Sequence, residues 1–343
     1  EITAIDLRAE KLKSGEWLSP QLKKEIDDNL ASGEQALLFL NRRGYAPLTL
    51  CRTCGFRITC PKCAAYLVEH KRRARLQCHH CGHFEPMPQS CPSCQAKDSF
   101  ASVGLGVERL EQDVSKAFPD ARVLTLSSDL AGGMKQLREE IERVADHDID
   151  IVIGTQLVAK GHNFPALTLV GVIDGDFSLG SGDPRAGERT FQVLHQVIGR
   201  AGRGEKPGRA LVQTYAPDHP VLKALLKNDQ PAFYNAEAQQ RKSANLPPSG
   251  RLAAFIVSAS DHAQAFSYAK AMLQAAPKTD GIKLLGPAEA PLAKLNNRYR
   301  YRLLLKAPRD FDVQAYIRDW LQRAPKPKGS VRCVVDIDPY NFM

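Results

Sequence analysis

Residues 150–164 read Asp150-Ile151-Val152-Ile153-Gly154-Thr155-Gln156-Leu157-Val158-Ala159-Lys160-Gly161-His162-Asn163-Phe164. A short β-branched run ended by Gly154-Thr155 is the pattern of a strand buried on both faces, and ligands collect at such strand ends in an open α/β sheet. Lys160-Gly161-His162 then makes a small polar loop. Outward from this stretch the pattern alternates: helix 107–118, strand 122–126, helix 134–145, strand 149–153, strand 168–173, helix 185–198, strand 210–215. Upstream, Ser19-Pro20 opens a helix that Gly33 closes, with Leu22, Ile26 and Leu30 four apart, and Ala36–Leu40 reads as another buried strand. Strands alternating with helices predict an α/β fold with a parallel sheet covered on both faces.

The style changes after about residue 220. Helices 220–227 and 231–244 lead to the stiff break Leu246-Pro247-Pro248. Beyond it come strand 251–260, helix 262–275, strand 282–286, strand 299–306, helix 311–323 and strand 331–337, the β-α-β-β-α-β order of ferredoxin-like α+β domains. The 343 residues therefore divide into a lobe (1–49 and 98–219), an insert (50–97) and a C-terminal domain (220–343).

The insert holds eight of the nine cysteines, as four C-x-x-C pairs: Cys51/Cys54, Cys60/Cys63, Cys78/Cys81 and Cys91/Cys94. Two thiolates three apart on a tight turn supply half a tetrahedral shell, so four pairs make two zinc sites of four cysteines each. Disulfides would need an oxidising compartment, which no secretion signal marks here, and a thioredoxin-like motif needs one pair. The stretch between Cys63 and Cys78 suits a β-hairpin, with Tyr66-Leu67-Val68 going out, Lys71-Arg72-Arg73 turning and Leu76 returning. That favours an inner site of Cys60, Cys63, Cys78 and Cys81 and an outer site of Cys51, Cys54, Cys91 and Cys94. Sequential pairing stays open. Four thiolates leave zinc no open position, so both sites are expected to be structural. His79, His80 and His83 read as surface neighbours, and the lone Cys333 as a core thiol.

The net charge of +9 is uneven: the insert carries +6, the C-terminal domain +9 and the lobe −6. A basic insert and a basic C-terminal domain on an acidic body point to a polyanion such as nucleic acid. Two readings stand for Lys71, Arg72, Arg73 and Arg75: a solvated hairpin tip, or a phosphate grip with Tyr66 and Phe84 stacking a base. Asn297-Arg298-Tyr299-Arg300-Tyr301-Arg302 also carries two, because at strand spacing its arginines share one face. Either they point to water while the tyrosines pack, or they form an electropositive face for branched DNA or an acidic peptide. No apolar run has the length of a membrane span, no signal peptide opens the chain, and no G-x-x-x-x-G-K-[ST] or Asp-Glu box occurs.

His195-Gln196-Val197-Ile198-Gly199-Arg200-Ala201-Gly202-Arg203 ends a helix with two arginines among glycines, suited to bidentate phosphate contacts. Together with Thr155-Gln156, Lys160-Gly161-His162 and Phe164, it resembles motifs V and VI of superfamily 2 helicases, which belong to the second RecA-like lobe. Leu38-Phe39-Leu40-Asn41-Arg42-Arg43-Gly44-Tyr45 followed by the four cysteine pairs resembles, more narrowly and over essentially the whole chain, the PriA family of replication-restart helicases.

That resemblance implies nested zinc pairing and a bacterial, cytoplasmic, nucleoid-associated 3′→5′ DNA helicase driven by ATP and Mg2+. It implies binding to forks, D-loops and single-stranded DNA, to the acidic tail of the single-stranded-DNA-binding protein, and to primosome proteins and the loader of the replicative helicase. By the motif match Arg200 and Arg203 face the ATP phosphates, Arg203 as the arginine finger, with Gln196 beside the nucleotide. Thr155 touches the DNA backbone, and Lys160 and His162 couple DNA to nucleotide. The family's N-terminal DNA-binding region, first lobe and phosphate loop are missing, and the chain opens on Glu1. It is therefore expected to be a piece unable to hydrolyse ATP alone. The competing expectation is a non-enzymatic zinc nucleic-acid-binding module on a degenerate RecA-like fold. A zinc-thiolate redox switch would require metal loss and disulfide formation under mild oxidant.

Overall fold

The computed structural model describes every residue except 11, 13–15, 41–47, 63–65, 71–74, 79–80, 104–106, 127–132, 156–163, 177–178, 180–182, 184, 205 and 341–343. The described elements run β1 (Ile2–Asp6), α1 (Leu7–Glu10), α2 (Pro20–Ala31), β2 (Gln35–Phe39), β3 (Leu48–Cys51), β4 (Val68–His70), β5 (Arg75–Gln77), β6 (Phe84–Pro86) and β7 (Phe100–Val103). They continue with α3 (Val107–Ala117), β8 (Val123–Leu126), α4 (Gly133–Ala145), β9 (Ile151–Gly154), β10 (Leu167–Val172), α5 (Ala186–Ile198) and β11 (Arg209–Thr214). Last come α6 (Pro220–Leu226), α7 (Gln230–Ser243), β12 (Gly250–Ala259), α8 (His262–Gln274), β13 (Lys283–Leu295), β14 (Arg298–Pro308), α9 (Val313–Arg323) and β15 (Arg332–Ile337).

The first sheet is six-stranded and parallel, in the order β1-β11-β10-β2-β9-β8. Its central strands are buried at every position, as burial on both faces requires. Alternate residues feed two cores. Leu37, Phe39, Val152, Val170 and Val172 meet Phe191, Leu194 and Val197 of α5 and Leu222 of α6. Ala36, Leu38, Ile151, Ile153 and Leu169 meet Leu22 and Ile26 of α2 and Leu110 and Val114 of α3. Helix α2 starts where Ser19 Oγ accepts from Leu22 N–H at 3.1 Å with Pro20 in the first turn, and ends before Gly33 at φ +69°.

The second sheet is antiparallel, in the order β6-β5-β4-β3-β7, and carries the cysteines. The expected hairpin is β4–β5, with Leu67 and Leu76 buried beside it. Leu48–Cys51 pairs with Phe100–Val103, so the strands entering and leaving the Cys-rich block belong to its sheet.

The third sheet, β13-β14-β12-β15, is antiparallel with α8 and α9 on one face, the ferredoxin-like order. Trp320 of α9 is fully buried and donates Nε1–H to Met272 O at 2.7 Å. Strand β13 extends to Leu295, well past the expected end at 286, because Asn296 and Asn297 (φ +49° and +58°) turn β13 directly into β14. Two bulges in the β13–β14 ladder hide that hairpin from a period-2 reading. Cys333 is partly buried against the same core, and burial pushes its thiol up to about 11.

The expectation for the arginine-tyrosine strand needs correction. Tyr299 and Tyr301 do pack inward against α8. Arg302, however, is 1 % exposed, and Arg298 donates to Ser258 O at 3.0 Å and to Ser330 O at 2.5 Å. The arginine face is therefore not a free electropositive surface at Arg302, because another part of the chain packs over it.

Candidate functional site

Three cysteine pairs fold as one repeated turn. The first cysteine's carbonyl accepts from the N–H four residues on: Cys51 from Gly55 (2.8 Å), Cys78 from Gly82 (3.0 Å) and Cys91 from Gln95 (2.9 Å). The same cysteine donates its N–H to the carbonyl five residues on, at Phe56, His83 and Ala96. The residue after the second cysteine is left-handed each time, Gly55 at +74°, Gly82 at +80° and Gln95 at +61°. Such a turn aims both sulfurs to one side.

The turns meet as nested pairs. The sulfurs of Cys51, Cys54, Cys91 and Cys94 all lie within 4.8 Å of one another, and so do those of Cys60, Cys78 and Cys81. Cys63 lies outside the described residues. Four sulfurs about 2.3 Å from a tetrahedral zinc stand about 3.8 Å apart. The observed separations are 3.7 Å for Cys51–Cys94, 3.7 Å for Cys54–Cys91 and 3.5 Å for Cys60–Cys81, so the donor set fits the ion.

Electrostatics agree. Burial raises Cys51, but its hydrogen bond with Ser99 Oγ and those with the Cys54 and Thr53 backbone bring it down to about 6. Cys54 is pushed up to about 12 by burial, with neighbouring sulfurs adding to the effect. Thiolates packed this closely repel one another, and a cation at their centre relieves that repulsion. His83 lies 3.4 Å from Glu85 rather than with the sulfurs, while His79 and His80 fall outside the described residues.

The outer turn is seated on the first sheet. A Cβ on Gly55 would collide with the carbonyl oxygen of Tyr215, just past β11. Two residues on, Arg57 Nη2 lies 3.2 Å from Asp176 Oδ1, with side-chain exposures of 6 % and 2 %. Asp176 also accepts from Thr214 Oγ1 (2.7 Å) and Tyr215 N (2.5 Å). Burial raises its carboxyl above the usual range, against which Arg57 is the strongest opposing influence. Motif reading missed this pair. The only signal was an arginine just after a C-x-x-C and an Asp174-Gly175-Asp176 turn after an apolar strand.

Arg75 stacks over the ring of Phe84 at 4.5 Å, and Phe84 is 58 % exposed. Tyr66 instead lies under Arg57 at 5.5 Å, so it does not share that platform. Lys71, Arg72 and Arg73 are outside the described residues.

The motor-like residues occupy two edges of the first sheet. Thr155 is buried just beyond the carboxyl end of β9. Gln196, Arg200 and Arg203 stand at the end of α5, where Gly202 N–H donates to Leu167 O at the amino end of β10. The structure thus brings the arginines together but does not bring Thr155 to them. Arg200 is buried, and burial first, then the charge of Arg203, lowers its pKa. Arg203 is exposed, its Nε–H held by Gly199 O at 2.8 Å. Gly202 (φ +73°) is required because a Cβ would strike Gly208. Gln196 is exposed, and Gln156, Lys160 and His162 lie outside the described residues. No helix among the described residues is long and apolar enough to cross a membrane.

Three sequence families match parts of the chain: the helicase conserved C-terminal domain over residues 106–205, the PriA DNA helicase Cys-rich region over 60–86, and the primosomal protein N C-terminal domain over 242–340. The ribbon family together with the sulfur clusters makes the Cys-rich unit a zinc-binding one. The replication restart protein PriA of Rickettsia conorii is 42% identical over 341 residues, covering 99% of this chain and 52% of that protein. PriA of Bacillus subtilis is 36% identical over 349 residues (100% and 43%), and PriA of Haemophilus influenzae 37% over 340 (98% and 46%). The chain spans about half the length of the curated relatives it matches. A helicase lobe, a zinc ribbon and a primosomal C-terminal domain in this order leave a stand-alone zinc module disfavoured, and the chain belongs to the PriA family of replication restart proteins.

Proposed function

We propose that the intact protein is an ATP-driven 3′→5′ DNA helicase that binds forks, D-loops and single-stranded DNA and assembles the primosome. Residues 1–49 with 98–219 are assigned to its second RecA-like lobe, 50–97 to its zinc module and 220–343 to its C-terminal domain. The module's sheet also takes in Leu48–Cys51 and Phe100–Val103 at the borders, and α6 and Phe233 pack into the lobe's core. The observation carrying this reading is the arginine pair at the end of α5, one guanidinium desolvated and one exposed. A dry, preset cation beside an exposed one suits charge developing on a transferring γ-phosphoryl group. Arg203 is assigned as the arginine finger, Arg200 as a phosphate ligand and Gln196 as a nucleotide contact, with ATP and Mg2+ as cofactors. Thr155 is assigned to the DNA backbone, and Lys160 and His162 to coupling between DNA and nucleotide. Thr155 and the arginine pair stand at opposite edges of the first sheet, which is compatible with two ligands read by one lobe.

Two structural Zn2+ ions complete the assignment, one on Cys51, Cys54, Cys91 and Cys94 and one on Cys60, Cys63, Cys78 and Cys81. Proposed protein partners are the acidic tail of the single-stranded-DNA-binding protein, primosome proteins and the helicase loader, in the bacterial cytoplasm at the nucleoid. In the intact protein Arg203→Ala should lower DNA-stimulated ATP turnover by about 10³-fold or more while fork binding stays intact. Wild-type turnover in that variant would remove the finger assignment. The 343-residue chain assayed by itself should show no turnover.

A further inference from the structure

The third sheet is entered from α7 and left after β15, and both ends are fastened to the start of α5. At the entry, Arg241 of α7 donates Nη2–H to Glu188 and Nε–H to Glu237, both at 2.8 Å, and its side chain is 12 % exposed. The same guanidinium reaches the carbonyl of Pro247, on the way into β12, at 3.4 Å. At the exit, Tyr340 O accepts from Arg189 Nη2 at 2.5 Å, and Arg189 is itself paired with Asp183 at 3.1 Å. The Tyr340 ring carries Arg185 at 4.4 Å and Arg189 at 5.1 Å on its face. The helices are in close contact here, since a Cβ on Gly187 would meet Glu237 Oε2 at 3.0 Å. One turn farther along, Phe233 of α7 stacks on Phe191 of α5, centroids 4.2 Å apart and planes 1° from parallel.

The same helix carries the arginine pair at its other end. Its 13 residues make about 20 Å of rigid rod, and Gly199 N–H still bonds to His195 O at 3.1 Å, so the backbone leading to Arg200 and Arg203 continues from the helix. We infer that the C-terminal domain positions the arginine pair through α5, with Arg241 and Tyr340 as the positioning residues. The inference deepens the proposed motor function and rests on the assignment of Arg200 and Arg203 to the nucleotide. Charge-assisted forks such as those of Arg241 and Arg189 are the strong class of hydrogen bond, and the Tyr340 ring adds cation–π attraction. A rigid element gripped at its start carries that constraint to its end. Transition-state stabilisers act only when preset, and a misplacement of about 1 Å caused by a distant substitution can cost about 10²-fold in rate. A shift of the C-terminal domain against the lobe is thereby felt at the arginine pair.

The test uses the intact protein as wild type, Arg241→Met, Arg241→Lys and Tyr340→Ala, with steady-state turnover and nucleotide-free hydrogen exchange measured on each. Arg241→Met should lower kcat of DNA-stimulated ATP turnover about 5–30-fold and leave KM for ATP and fork binding within about 2-fold, the split expected when only transition-state stabilisation is lost. Arg241→Lys keeps one ion pair and should recover part of that loss. Tyr340→Ala removes only the ring contact and should cost about 2–5-fold in kcat. Without nucleotide, amides 196–203 of Arg241→Met should exchange at least about 2-fold faster while β9 and β10 keep their rates. Wild-type kcat in Arg241→Met overturns the inference, as does faster exchange confined to residues 186–189, because the start of the helix then does not govern its end. If Arg241→Met does not fold, Tyr340→Ala is read by the same two criteria. Wild-type turnover in Arg203→Ala removes the finger assignment instead, and the exchange result then decides the positioning alone.

Discussion

Arg57 and Asp176 offer the clearest test of how the zinc module is held on the lobe. At 3.2 Å their attraction is about 5 kcal/mol at an effective dielectric of about 20. Desolvating both groups offsets much of that, and breaking such a buried pair costs about 3–5 kcal/mol, since a charge is left behind. Arg57→Met should fall at the low end, about 3 kcal/mol, because Asp176 keeps the Thr214 hydroxyl and the Tyr215 N–H. Asp176→Asn should cost a similar amount by stranding the guanidinium. The double variant removes both charges, so it should be destabilised by much less than the sum, with a coupling of about 2–3 kcal/mol. Urea denaturation of the four zinc-loaded proteins at pH 7 measures it, provided the m-values agree. The pH dependence has a definite sign. Asp176 is raised above its ordinary 3.8, so its favourable contribution is complete below that value and is lost as pH climbs to the folded value. Removing Arg57 raises the folded value further, so the Arg57→Met penalty should shrink as the solution is acidified. Additivity within about 0.5 kcal/mol would refute the reasoning, for it would mean the two side chains do not feel each other.

Other expectations are as specific. His219 caps α6 through Nδ1 accepting from Val221 N–H, and burial, helped by the charge of Arg57, lowers it from 6.5 to about 4. That depression stabilises the fold above pH 6.5 and is lost as pH falls, about 2 kcal/mol of it by pH 5. His219→Asn, which keeps an acceptor at the cap, should abolish this difference between pH 7 and pH 5, and an unchanged pH slope would exclude His219 as its source. Gly33→Ala, with open space around φ +69°, should cost about 1 kcal/mol, whereas Gly55→Ala, facing Tyr215 O at φ +74°, should cost at least about 2 kcal/mol. Equal melting shifts for the two would mean that the outer turn is not seated on β11. Chelation should abolish hydrogen-exchange protection in β3–β7, since each structural zinc supplies on the order of 10–16 kcal/mol of folding energy, and leave β2, β9 and β10 protected. Loss of protection throughout would show that the parallel sheet itself depends on metal.

How much was legible before the structure depended on the range of the forces involved. The short apolar run Ala36–Leu40, the Ser19-Pro20 cap, and the cysteines spaced for half-shells are local signals. Each is read from a few neighbouring residues, and all recur in the fold. The hairpin between Cys63 and Cys78 was legible for the same reason, and with it the nested sulfur clusters. The β13–β14 turn was not, because two bulges break the period that marks a strand.

Burial of charge was beyond local reading altogether. Arg302 and Arg300 share a face and a spacing, yet only Arg302 is fully buried. Arg57 looked like one more basic residue of a +6 insert until Asp176 was brought to it from 119 positions away. The sequence by itself determined most of the elements, the metal-binding chemistry and the family, since period, spacing and motif are properties of neighbours along the chain. Only the tertiary structure decided which of its many cations face water and which hold the domains together, because that depends on what covers a surface, and the cover comes from residues far away in sequence.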